Sequence, residues 1–102
     1  MQITLIKNEK MNVRCFRRFK LYGLNFGVNY HPYKNRQGKI LFNDWFVVSN
    51  IETGRTVDFS GEDTIKEAIS SARKFLISKG RKVVTKKTNQ ILKEAKADVQ
   101  KA

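Results

Sequence analysis

Apolar and polar residues alternate with a period near two over the first sixty positions, and shift to helical spacing after residue 64. Ile3 and Leu5 point one way and Gln2, Thr4 and Ile6 the other, which predicts a first, partly exposed strand over residues 1–7. Asn8, Glu9 and Lys10 make a polar turn, and Met11 offers an alternative start that would leave the first strand dispensable. A second strand is predicted over residues 13–22. One of its faces carries Val13, Cys15, Arg17, Phe19 and Leu21, the other Arg14, Phe16, Arg18, Lys20 and Tyr22. Gly23 marks a turn or a bulge. Leu24, Phe26, Val28 and Tyr30 then alternate with Asn25, Gly27 and Asn29 as a half-buried strand. Residues 31–39 read as a mobile loop, and residues 40–42 lead to a fourth strand that Asn43 and Asp44 bulge or break before Trp45.

Residues 45–76 are the stretch that organises the fold. Two β-rich runs, 45–49 and 55–59, flank a loop ending at Gly54 and predict a hairpin. Trp45, Val47 and Ser49 share one face, and Trp45 reads as core ahead of a binding platform. Thr64 and Glu67 have capping-box spacing, in which each side chain satisfies a backbone N–H of the first helical turn. Ile65, Ala68, Ile69, Ala72 and Leu76 form an apolar helical stripe, and Gly80 stops the helix. Thr88 is expected to cap a last helix with Ile91, Leu92, Ala95 and Val99 on its apolar side. The pattern predicts an α+β fold: a four- to five-stranded antiparallel sheet packed against one amphipathic helix, with a basic C-terminal helix. Residues 1–80 form a single domain and residues 81–102 a basic C-terminal segment.

At 102 residues the chain has the length of one domain. Seven Phe, three Tyr and one Trp exclude wholesale disorder. One cysteine excludes an intrachain disulfide and a four-thiolate metal site, and a reducing, cytoplasmic setting fits it. Neither a signal peptide nor a transmembrane run is visible, so no membrane partner is expected.

Charge changes the picture more. Lys plus Arg number 21 against nine Asp plus Glu, a net charge of +12 and a pI near 10.2. Residues 1–40 carry +8, residues 41–80 −1 and residues 81–102 +5. The hairpin–helix unit is nearly neutral and its flanks carry the positive field, as expected of a nucleic-acid binder. Arg14, Phe16, Arg18, Lys20 and Tyr22 interleave cations with rings on one predicted face. Cations release counterions from phosphates and rings stack unpaired bases. A solvated edge strand whose cations block aggregation is the other reading of the same face. Tyr33, Lys34, Arg36 and Lys39 extend the positive field into the 31–39 loop, which also reads as a polar hairpin tip. Arg81, Lys82, Lys86 and Lys87 follow the helix stop as a second basic run.

Candidate chemistry is sparse. His31 and Cys15 are the only residues of their kinds, lie on different predicted elements and lack a third orienting group. Cys15 reads as a small core residue. Asp44, Glu52, Asp58, Glu62 and Asp63 are the carboxylates available for a metal, but Glu62 and Asp63 sit where they complement a helix dipole, and Glu52 lies in a turn. The chain therefore reads as a non-enzyme with no cofactor.

The run from Trp45 and Val47 through Thr53 and Gly54 to Thr64, Glu67, Ala68, Ile69 and Ala72 resembles a hairpin–helix pattern common in small phage and mobile-element proteins. It is also similar to the arm-site DNA-binding domains of tyrosine recombinases. That resemblance implies a three-stranded sheet on one helix, with the sheet entering the major groove. In this chain the matching hairpin carries one cation, Arg55, and the basic face lies upstream. By size and style the chain also resembles anti-CRISPR inhibitors, which implies an acidic protein or ribonucleoprotein partner. A third reading is an assembly protein that forms a homodimer through its C-terminal helix.

Overall fold

A computed structural model of the chain describes residues 1–5 and 9–101, with the backbone alone for residues 58–60 and 96–101. The described residues form β1 (Gln2–Thr4), β2 (Lys10–Asn12), β3 (Arg18–Leu21), β4 (Leu24–Lys34), β5 (Ile40–Asn50), β6 (Thr56–Glu62), α1 (Ile65–Lys79) and α2 (Arg81–Lys101). The strands β3-β4-β5-β6 make one antiparallel sheet in that order, and β1 and β2 pair as a separate small hairpin. The fold is α+β, as the periodicities predict. Ile6, Lys7 and Asn8 of the predicted first strand and turn lie outside the described residues.

Leu21 pairs with Leu24 across a two-residue turn in which Tyr22 (φ 57°) and Gly23 (φ 74°) are both left-handed. Such turns match the right-handed twist of the flanking strands. Gly23 therefore makes a hairpin, not a bulge. Phe26 and Val28 of β4 and Val48 of β5 face α1, which meets them with Ala68, Ala72 and Leu76. The two alanines leave room for the helix to lie close to the sheet. Phe19, Leu21, Leu24, Phe46, Val57, Ile65 and Ile69 surround this core.

The other sheet face is also covered. Asn29 and Ser49 are fully buried there, and Ser49 Oγ donates to Asn29 Oδ1 at 2.8 Å. The β1–β2 hairpin supplies the cover. Ile3 is 2% exposed, Thr4 N–H donates to the Gly54 carbonyl at 2.7 Å, and Met1 Sδ and Cys15 Sγ fill the space beside Gly27. The first strand is partly exposed, as predicted, with Gln2 open and Ile3 buried, and a chain starting at Met11 would lose this cover. Pairing with only β2, it found its burial on the sheet's second face, a contact that strand alternation does not encode.

Thr64 caps α1, its Oγ1 accepting from Glu67 N–H at 3.1 Å, and Gly80 (φ 86°) ends it by donating to the Leu76 carbonyl. Glu62 closes β6 and accepts a hydrogen bond from Ser71 Oγ at 2.7 Å, so its carboxylate serves a side chain two turns into α1. The C-terminal segment is helical as expected, but α2 starts at Arg81, immediately after Gly80 and seven residues ahead of the expected cap. Thr88 is not a cap but a buried interior residue whose Oγ1 donates to the Val84 carbonyl at 2.9 Å. Val84 and Thr88 form the buried side of α2, while Leu92 and Ala95 are exposed and Val99 has no described side chain. No helix among the described residues is long and apolar enough to cross a membrane.

Candidate nucleic-acid interface

The predicted strand over residues 13–22 is broken. Phe16 N–H donates to the Val28 carbonyl and Val28 N–H donates to the Arg17 carbonyl, both at 2.9 Å. Two residues thus oppose one, which is a bulge, and a bulge shifts the alternation by one position. Arg18 and Lys20 pair with Gly27 and Asn25 on the face away from α1. Phe16 instead packs at the rim of the core. The sequence reading that put Arg14, Phe16, Arg18, Lys20 and Tyr22 on one face is therefore corrected. Tyr22 is also drawn into packing against the core, so it is no open stacking platform.

What the bulge builds is an aromatic cluster. Phe16 meets Tyr30 edge-on at 4.9 Å and Phe46 edge-on at 5.3 Å, and Tyr30 stacks on Phe46 at 5.0 Å. These separations suit offset and edge-to-face ring pairs. The Arg14 guanidinium lies 4.7 Å from the Phe16 ring centroid. Asn12, Val13, Arg14, Phe16, Tyr30 and Phe42 enclose an open cleft of about 260 Å³. Phe42 is 48% exposed.

Phe42 and Tyr30 lie on strands longer than the helix that covers this face of the sheet. Eleven strand residues span about 36 Å, whereas the fifteen residues of α1 cover about 22 Å. The buried core that α1 shares with β4 and β5 holds Phe26, Val28 and Val48, with Phe46 packed against it, and the hairpin from Pro32 to Phe42 contributes nothing to it. The β4–β5 register jumps from Tyr30–Phe46 to Pro32–Phe42, placing the irregularity at Asn43 and Asp44 as the sequence suggested. The residues 31–34 predicted as loop belong to β4, and Pro32 is accommodated beside the register shift.

At the hairpin tip, Asn35 Oδ1 accepts from Gln37 N–H at 3.0 Å and Lys39 N–H at 2.9 Å. The tip is thus a closed turn built by Asn35, where the sequence suggested a mobile loop. Tyr33, Lys34, Arg36 and Lys39 are all exposed on it. Lys34 pairs with Glu9 at 2.7 Å, with both side chains near half exposed, so the pair adds little stability. Arg36 and Lys39 make no ion pair among the described residues.

The C-terminal cations lie on another element, α2. Arg81, Lys82, Lys86 and Lys87 are exposed on the first turns of α2, with Lys82, Lys86 and Lys93 at a spacing that lines the side opposite Val84. That helix joins the core through Val84 next to α1.

Sequence reasoning passed over Tyr30 and Phe42. Trp45 was expected in the core, yet it is 39% exposed. Its indole lies on the backbone of Gly61 (φ 66°), where an added Cβ would come within 2.5 Å of Cδ1. The His31 ring stacks parallel to it at 6.4 Å, and partial burial lowers the His31 pKa. The signal for these positions would have been strand length, which the Pro32 and Asn43-Asp44 interruptions disguised. Among the described residues, no group of three or more His, Cys, Asp or Glu side chains could hold a metal ion. No known protein family, curated protein or solved structure matches the chain.

Proposed function

We propose that this chain is a nucleic-acid-binding module, without chemistry of its own, whose working surface is the distal end of the β4–β5 hairpin and the Arg14–Phe16 segment beside it. The observation that carries this reading is the Arg14 guanidinium set over Phe16 in a cleft whose other rings, Tyr30 and Phe42, are open to solvent. Arg36 and Lys39 at the tip of the same hairpin add phosphate contacts, and the net charge of +12 adds long-range attraction. Rings and cations on one surface let base stacking and backbone neutralisation act on the same strand.

A fluorescence-polarisation titration with labelled oligonucleotide at two salt concentrations tests the reading. Binding at low salt that weakens steeply as salt rises is expected, because each neutralised phosphate contributes a slope of about −0.7 to −0.9 in log K against log salt. Absence of binding at low salt contradicts it.

A further inference from the structure

Resting on that nucleic-acid reading, we infer that the cleft between Arg14, Phe16, Tyr30 and Phe42 receives one unpaired base, which makes single-stranded nucleic acid the ligand. The cleft volume of about 260 Å³ lies below the range of pockets for drug-sized ligands, about 300 Å³ upward, and suits one flat ring. Its walls are set in advance. Tyr30 is held by stacking on Phe46 and by the edge of Phe16, so a base entering beside it meets a ring that is already ordered. Phe42 projects from the facing strand and is the most exposed ring of the group. Arg14 is held over Phe16 by the ring quadrupole and brings a cation to the edge of the cleft, where the phosphate next to a stacked base would lie.

The same surface is poorly suited to a duplex. Reading base edges in the major groove requires hydrogen-bonding side chains at the contact. At the cleft itself the Pro32–Phe42 and Tyr30–Phe46 pairs present mainly apolar surface, with Asn12 and Arg14 as its polar lining. In a duplex the bases are stacked on one another and their flat faces are unavailable, whereas a single strand can splay a base onto a protein ring. Phosphate contacts by Arg36 and Lys39 would serve either form. The aromatic cleft serves only the single strand.

The test uses the full chain and one labelled mixed-sequence oligonucleotide in three forms: single-stranded, annealed to its complement, and single-stranded with abasic sites. The single strand is expected to bind more tightly than the other two. Phe42→Ala should weaken single-strand binding about 5- to 150-fold, the range of one lost base stack, and leave duplex binding unchanged. Phe42→Trp should preserve the preference. Because Phe42 is half exposed, its removal leaves the core intact. Equal affinity for single strand and duplex, with Phe42→Ala harmless to both, overturns the inference and leaves the nucleic-acid reading standing. No binding of any form at low salt overturns both.

Discussion

Phe16 donates its backbone N–H to the Val28 carbonyl, but Val28 returns its own N–H to Arg17. That offset separates Phe16 from Arg18 and Lys20 and delivers its ring to Tyr30 and Phe46. Phe16→Ala should therefore loosen the aromatic cluster. A fully buried Phe→Ala change costs about 3–5 kcal/mol, so for this half-buried ring a loss of about 2 kcal/mol is expected in urea unfolding. A change under about 0.5 kcal/mol, the level of an ordinary surface substitution, would mean that the cluster does not stabilise the fold.

Gly54 ties the β1–β2 hairpin to the turn between β5 and β6. Its φ of 73° is left-handed, and an added Cβ would lie 2.7 Å from Thr4 Oγ1 and 2.9 Å from Thr4 N. Backbone strain and a clash with backbone act together in Gly54→Ala, and a loss of about 2 kcal/mol or more is expected. Deleting residues 1–10 should also destabilise the protein, because it uncovers Ile3's site and the space beside Gly27. Equal thermal midpoints for the full and shortened chains would show the hairpin to be dispensable after all.

These two sites show where the sequence was legible and where it was not. The α1 helix could be read almost to the residue, because its cap at Thr64, its stripe of Ala68, Ala72 and Leu76 and its stop at Gly80 are all local. The strand pair around Gly23 was readable for the same reason. The bulge at Phe16 and Arg17 is a relation with Val28, twelve positions away, and alternation within one strand carries no sign of it. The burial of Ile3 depends on a turn fifty residues downstream. The proposed binding surface was the least legible part. Arg14 and the tip cations Lys34, Arg36 and Lys39 were visible as charges, but Tyr30 and Phe42 come together with Arg14 only through the pairing of β4 with β5 and the bulge at Phe16.

His31 gives the fold a pH dependence. Burial lowers its pKa from the ordinary 6.5, so the folded chain favours the neutral ring stacked on Trp45. The unfolded chain takes up the proton first as pH falls. The stabilisation from the neutral ring is therefore present in full above 6.5 and is lost as pH drops through that value towards the lowered one. Thermal midpoints measured on either side of 6.5 should fall on acidification in the wild type, and less so in His31→Gln. Parallel pH profiles for the two proteins would rule out this source of pH dependence.

In the proposed reading a particular surface, not net charge, holds the nucleic acid. The most direct measurement compares salt-dependent polarisation titrations of two triple variants with equal charge change, Arg14→Glu/Arg36→Glu/Lys39→Glu and Lys82→Glu/Lys86→Glu/Lys93→Glu. The hairpin variant is expected to lose most of its affinity for a single-stranded oligonucleotide and to flatten the salt slope by about one unit per cation removed from a phosphate contact. The α2 variant is expected to keep most of the wild-type slope. Equal losses in both variants would mean that binding follows total charge, and would contradict the assignment of the site.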